Sequence, residues 1–158
     1  MATNGVTTVI LIRHADRDAP PASAPAFPGP SLNDKGMARA RKLVHVLSTT
    51  GIQAIYTSNY TRSKMTAKPF FDAHSSLPIV RLDTATELKN HILTNHAGQT
   101  VLVVGHANTV PELIRLLGGP SLPEINDCEF DNLFVLVRYS ATKASVTKLK
   151  YGEPTAPC

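Results

Sequence analysis

Apolar residues along this chain take turns between two patterns: short unbroken aliphatic runs, and longer stretches with an apolar side chain every three or four positions. The run TTVILI at 7–12 has no polar alternation and predicts a strand covered on both faces. Asn33 or Asp34 can cap a helix whose Met37, Ala40, Val44 and Leu47 lie at helical spacing, with Gly51 as its stop. IQAIY at 52–56 predicts a second strand. Thr57 or Ser58 can cap the helix after it, which should stop before Pro69 or kink there. PIVRL at 78–82 reads as a short third strand, and Leu88 and Ile92 give ELKNHILTNH, from residue 87, a helical period. TVLVV at 100–104 is the clearest strand, followed by a helix with Pro111 in its first turn and Gly118 at its end. NLFVLVRY at 132–139 and SVTKLKY at 145–151 are two more strands, and the short polar link between them predicts an antiparallel hairpin.

Alternating strands and helices make a three-layer α/β/α sandwich the economical fold, its sheet mainly parallel with at least one antiparallel edge strand. A length of 158 residues at 42% apolar suits a single such domain over 1–158. The one compositional oddity is APPASAPAFPGP at 19–30, whose five prolines make a stiff loop.

A net charge of +4 favours anionic ligands. No Lys/Arg run is interleaved with aromatics, so nucleic acid is not an expected partner. Cys128 and Cys158 form neither a CxxC nor a Cys/His ligand spacing. They read as free thiols of a reducing compartment, with no zinc site and a cytoplasmic location. VTTVILI is too short for a membrane span and lacks the flanks of a signal peptide, so no membrane association is expected. His45, His74, His91 and His96 read as surface or boundary residues without metal-ligand spacing, and no metal or other cofactor is expected. The basic set Lys35, Arg39, Arg41 and Lys42 reads as a solvated helix face.

Candidate chemistry gathers where strands end. Sheets of this kind bind ligands beyond the carboxyl ends of their strands. The first strand runs straight into Arg13 and His14, and the fourth into His106 by way of Gly105, which lets the backbone turn closely. Arg62 stands near the start of the helix after the second strand, where a helix N-terminus offers unpaired N–H groups and a positive dipole end. Singly, such residues are more often strand-end polar groups or salt-bridge partners. Together they would repel one another in an empty pocket, and an anion removes the conflict. Phosphate fits, because guanidinium groups bind its oxygens in pairs.

RHA at 13–15, SLNDKGMARA at 31–40, TSNYTRSKMTA at 57–67 and VVGHANT at 103–109 resemble, in order, the motifs of the histidine phosphatase superfamily, phosphoglycerate mutase-like branch. The short chain is similar to the compact, phosphohistidine phosphatase-like members. The resemblance implies that His14 attacks phosphorus and forms a covalent phosphohistidine that water then hydrolyses. Arg13, Arg62 and His106 would hold the non-bridging oxygens without metal. Arg17 and Ala107, the residue after the second histidine, join the expected phosphate-binding set. Two departures stand out: Ala15 replaces the glycine usual after the nucleophile, and Ala107 replaces the aspartate of the acid phosphatase branch.

An acid must still protonate the leaving oxygen. Members that use a glutamate place it after the third strand, where this chain has Glu87; Asp16 and Asp18 are rivals close to the nucleophile, and a site with no dedicated acid would suit phosphohistidine or other P–N substrates. The expected activity is thus hydrolysis of a phosphorylated small molecule or phosphoprotein. A catalytically weak phosphate-binding or regulatory module is the alternative, and a phosphoglycerate mutase a further one, disfavoured because the chain has little material for a closing lid. Phe27, held by the prolines of 19–30, is a candidate wall over the pocket.

Overall fold

The computed structural model describes residues 5–156 and 158. In chain order its elements are β1 (Thr7–Arg13), α1 (Asp34–Val46), β2 (Ala54–Thr57), α2 (Thr61–Ala73), β3 (Ile79–Arg81), α3 (Ala85–Asn95), β4 (Thr100–Gly105), α4 (Thr109–Leu116), β5 (Asn132–Ser140) and β6 (Lys143–Lys150). The strands form one sheet in the order β3-β2-β4-β1-β5-β6. β1 to β4 run parallel, whereas β5 pairs antiparallel with both β1 and β6, so the expected sandwich and its antiparallel edge are both present.

The unbroken aliphatic runs have a direct physical reason. Successive strand side chains point to opposite faces, and both faces of the central strands are covered. Val9 and Leu11 of β1, with Val101 and Val103 of β4, pack against Leu88 and Ile92 of α3 and Leu113 and Ile114 of α4. Ile10 and Ile12, with Leu102 and Val104, pack on the other side against Leu43 of α1 and Phe70 of α2. Each fully buried aliphatic side chain contributes roughly 1.5–3 kcal/mol, so a polar residue on either face of these strands would lose burial without a partner.

Asn33 caps α1 by accepting from the Gly36 N–H at 2.9 Å. Of the two outcomes expected of the second helix at Pro69, the stop does not occur: α2 runs through Pro69 to Ala73. Pro69 has no N–H to give the preceding turn, yet Phe70 is 2% exposed in the core and holds the last turn in place. Arg39 also departs from its expected solvated face. It is buried and forms an ion pair with Asp16 at 2.6 Å, while its Nη1 donates to the Tyr151 carbonyl at 2.8 Å. Lys35, Arg41 and Lys42 are exposed as expected. The cysteines are the third correction: Cys128 and Cys158 are joined in a disulfide, Cα to Cα 5.5 Å apart, so the expectation of free thiols fails and the inference of a reducing compartment loses its basis. Among the described residues no helix is long and apolar enough to cross a membrane.

Candidate active site

The register of the sheet brings the two histidines together. Arg13 pairs with Gly105 and Val104 with Thr57, so β1, β2 and β4 end level at one edge of the sheet. The His14 N–H continues the ladder by donating to the Gly105 carbonyl at 2.8 Å. Beyond that point the His14 and His106 rings stand side by side, centroids 5.4 Å apart. Gly105 permits the close turn that was expected of it: a Cβ there would lie 2.9 Å from the Thr109 Oγ1, which in turn accepts from the His106 N–H at 2.9 Å.

A cleft of about 340 Å³ opens at this edge, lined by Arg13, His14, Arg17, Tyr60, Arg62, His106 and Ala107, with Asp83, Asn108, Thr109 and Asp127 completing its wall. Every expected phosphate-binding residue therefore faces it, as do both histidines. The N-termini of α2 and α4 meet here, and neither N-cap residue, Tyr60 or Asn108, makes a side-chain cap. Their dipole ends favour an anion in the cleft, while backbone carbonyls take most of the first-turn N–H groups, Pro28 that of Thr61, Tyr60 those of Ser63 and Lys64, and His106 that of Val110.

His14 is 2% exposed and its Nδ1 lies 2.9 Å from the Ala15 carbonyl. A carbonyl can only accept, so Nδ1 carries the proton and Nε2 keeps its lone pair. Burial, offset in part by the hydrogen bond to the Ala15 carbonyl and reinforced by smaller repulsions from Arg13, His106 and Arg62, pushes the His14 imidazole down to about 2. His106 is pushed down to about 4 by burial and by Arg62 and Arg13. Both rings are therefore neutral near pH 7. Ser58 Oγ lies 2.7 Å from His106 Nε2 and accepts from the Tyr60 N–H at 3.3 Å.

Arg13 is oriented from the far end of the sequence. Its Nη1 donates to the carbonyls of Asn126, Asp127 and Glu129 at 2.9, 3.1 and 3.0 Å, and the Phe130 ring lies 4.3 Å from its Cζ. Burial and the neighbouring Arg17 push this guanidinium down to about 10, which leaves it a cation at neutral pH. Arg62 lies over the Tyr60 ring at 4.7 Å. Gly29, at φ +80°, lets the loop 19–30 come against it, since a Cβ there would lie 2.5 Å from Arg62 Nη1. The buried Nε atoms of Arg13, Arg17 and Arg62 all lack a protein acceptor. Three cations share the cleft and keep donors unpaired, an arrangement whose charge and hydrogen bonds an anion would satisfy.

The expected acids do not join them. Glu87 sits in the first turn of α3 and closes a reciprocal capping box with Thr84, beside Leu82, Asn90 and His91 and away from the cleft. Asp16 is locked to Arg39, and Asp18 is exposed and accepts from Asn33 Nδ2. The carboxylates at the cleft are Asp83 and Asp127, neither singled out from the sequence. Asp83 directly follows the β3–Leu82 stretch, and that position was the available signal. Its two oxygens accept from the Asn59 N–H and Nδ2 at 2.8 and 3.0 Å. Tyr60, also unforeseen, forms the aromatic wall. Phe27 packs edge-on behind it at 5.3 Å and is 57% exposed. Ala15 is no handicap: it is fully buried, its N–H donates to Thr66 Oγ1 at 2.8 Å, and no described non-glycine residue has positive φ.

Fold and cleft together define an α/β protein with a cationic cleft at the carboxyl edge of its sheet. The family model of the histidine phosphatase superfamily (branch 1) matches residues 9–90, and the chain belongs to that superfamily. No curated protein matches the chain. Among solved structures it is similar to the protein histidine phosphatase SixA complexed with tungstate, at 19% identity and a TM-score of 0.71 over 90% of this chain and 96% of that one. The alpha-ribazole phosphatase from Shigella flexneri gives 14% identity and a TM-score of 0.61 over 90% and 96%. The phosphoglycerate mutase from Plasmodium falciparum gives 19% and 0.55 over 97% and 94%. At these identities the likeness is one of fold, and it spans protein phosphatase, small-molecule phosphatase and mutase.

Proposed function

We propose that this protein is a phosphatase that works through a covalent phosphohistidine on His14, and that it favours substrates with a nitrogen leaving group, such as phosphohistidine. The carrying observation is the pairing of a buried neutral imidazole of defined tautomer with three guanidinium groups whose buried donors lack acceptors. In the first step His14 Nε2 forms a bond to phosphorus while the bond to the leaving atom breaks. Arg13, Arg17 and Arg62 hold the oxygens, and the positive dipole ends of α2 and α4 add to the field that stabilises the growing negative charge. His106 donates a hydrogen bond to one oxygen, its proton placed on Nδ1 when Ser58 donates to Nε2. In the second step water attacks phosphorus, the P–Nε2 bond breaks, and phosphate leaves with His14 restored.

The leaving-group preference follows from the missing acid. An alkoxide needs a proton as it leaves, whereas an imidazole leaves readily once its other nitrogen is protonated, because its conjugate acid has a pKa of about 6.5. Glu87 is engaged elsewhere, and Asp83 is presented to the cleft as an acceptor from Asn59. One observation favours a second reading, hydrolysis of small esters, because Asp83 is the carboxylate of the β3–α3 link that reaches the cleft and can serve as the acid.

Steady-state assays on a panel of a phosphohistidine peptide, an aryl phosphate and an alkyl phosphate separate the two. The first reading expects kcat/KM to fall in that order, with little effect of Asp83→Asn on the peptide. The second expects efficient alkyl phosphate hydrolysis that Asp83→Asn lowers by about 10²-fold or more. His14→Ala abolishes turnover in both, and chelators leave activity unchanged; activity equal to wild type in His14→Ala sinks the assignment.

A further inference from the structure

The residues that aim Arg13 belong to one short segment, and a disulfide anchors the middle of it. Asn126, Asp127 and Glu129 supply the three carbonyls that hold Arg13 Nη1, and Phe130 covers the guanidinium and lies 5.9 Å from the His14 ring. Residues 126–130 form no helix or strand, and Asn126 and Asp127 are exposed. The two ends of the segment are secured. Ile125 is buried and its N–H donates to the Ala107 carbonyl at 3.0 Å. The Asp131 carboxylate accepts from Lys150 Nζ at 3.0 Å and Thr155 Oγ1 at 2.8 Å. Between these anchors, Cys128 is bonded to Cys158 beyond β6.

We propose that the Cys128–Cys158 disulfide is a positioning element of the phosphate site: it holds the 126–130 cradle against Arg13, and its reduction weakens phosphate binding. The inference rests on the reading of Arg13 as a phosphate ligand. A guanidinium that must present Nε and its remaining nitrogen to an anion is only as well aimed as the acceptors behind it. Losing the covalent tie gives back chain freedom at the segment's middle, where three carbonyls must converge on one nitrogen. Cys158 is exposed, so a thiol reductant can reach the bond. A dithiol supplies two electrons and two protons: its own two S–H groups close into a disulfide as the Cys128–Cys158 bond opens to two thiols. Phosphate affinity then follows the redox poise of the surroundings, a link that a reducing compartment would keep permanently weakened.

The test is titration calorimetry of the full chain with inorganic phosphate, oxidised and after reduction by dithiothreitol, with the thiol state counted by alkylation and mass. The same samples are assayed with an aryl phosphate. Reduction is expected to raise the phosphate Kd and the KM together by about five- to tenfold, the scale of one misaimed charge-assisted hydrogen bond, with kcat falling as well because Arg13 also faces the growing charge. Reoxidation restores all of them. The Cys128→Ser/Cys158→Ser double variant shows the weakened values and no response to reductant. A purely structural bond would lower thermal stability without this coupled rise, so a fully reduced protein whose Kd stays within about twofold of the oxidised value overturns the proposal. So does a double variant that responds to reductant as wild type does. If the double variant fails to fold, reduction and reoxidation of the wild-type chain decide the matter. Absence of phosphate binding in both states overturns the phosphatase reading itself and this inference with it.

Discussion

α2 and α3 both start just beyond the carboxyl end of a strand, and their first turns are completed in opposite ways. At α2, Tyr60 makes no side-chain cap, backbone carbonyls of Pro28 and Tyr60 take the N–H groups of Thr61, Ser63 and Lys64, and the positive dipole end and Arg62 face the cleft. At α3, Thr84 accepts from the Glu87 N–H while the Glu87 carboxylate accepts from the Thr84 N–H at 3.2 Å, so the helix satisfies itself. A capping box spends its acid on the helix. An end without a side-chain cap leaves its dipole for a ligand. The contrast explains why Glu87, at the expected position along the chain, lies outside the cleft.

Breaking the open end has the largest expected effect. Arg62→Ala removes one of the cleft's guanidiniums, and kcat/KM for any phosphate substrate is expected to drop by about 10²–10³-fold with the fold intact by circular dichroism. Steady-state kinetics check it, and a loss under about fivefold would show that Arg62 does not touch the transferred group.

An intermediate effect sharpens the electrostatic half of the contrast. His14 and His106 are held neutral in the folded chain, down to about 2 and about 4, while in the unfolded chain they protonate near 6.5. Between these values the unfolded state binds more protons, so stability falls as pH drops below about 6.5, by up to ~1.4 kcal/mol per pH unit for each histidine. Urea denaturation at pH 7, 6 and 5 measures the slope. Saturating inorganic phosphate should flatten it, because a bound anion favours protonated rings. A slope indifferent to phosphate would place the anion away from the histidines.

Breaking the closed end has the smallest effect. Glu87→Ala removes one side of the capping box and is expected to cost about 0.5–1 kcal/mol of stability while kcat/KM stays within about twofold. Denaturation and kinetics on the same preparation check both. A tenfold loss of kcat on phosphate esters would restore Glu87 as the acid.

Much of this was legible from residue order. Arg13, His14 and His106 were visible because aliphatic runs locate the strands and the sheet's chemistry lies past their carboxyl ends, whereas Asp83, just past β3, was passed over. Arg39 left a faint signal: it falls three residues after Gly36 and four before Leu43, on the stripe that packs inward, where it pairs with Asp16, one of the rival acids. The Thr84–Glu87 spacing is itself a capping-box signature, so the structural role of Glu87 was also readable. The cradle of Arg13 was not. It lies 113 to 116 residues away in an irregular segment held by backbone carbonyls, which leave no trace in residue type. Nor does a pair of cysteines 30 residues apart declare whether they meet.

The central claim, a covalent phosphoryl group on the histidine that ends β1, is tested most directly by trapping it. The protein is mixed rapidly with an aryl phosphate, quenched in alkaline denaturant, digested and analysed by mass spectrometry. The account predicts a phosphoryl increment on the peptide carrying His14, stable to base, lost in acid and absent from His14→Ala. Turnover with no increment on His14, or an increment on another residue that survives His14→Ala, would contradict it.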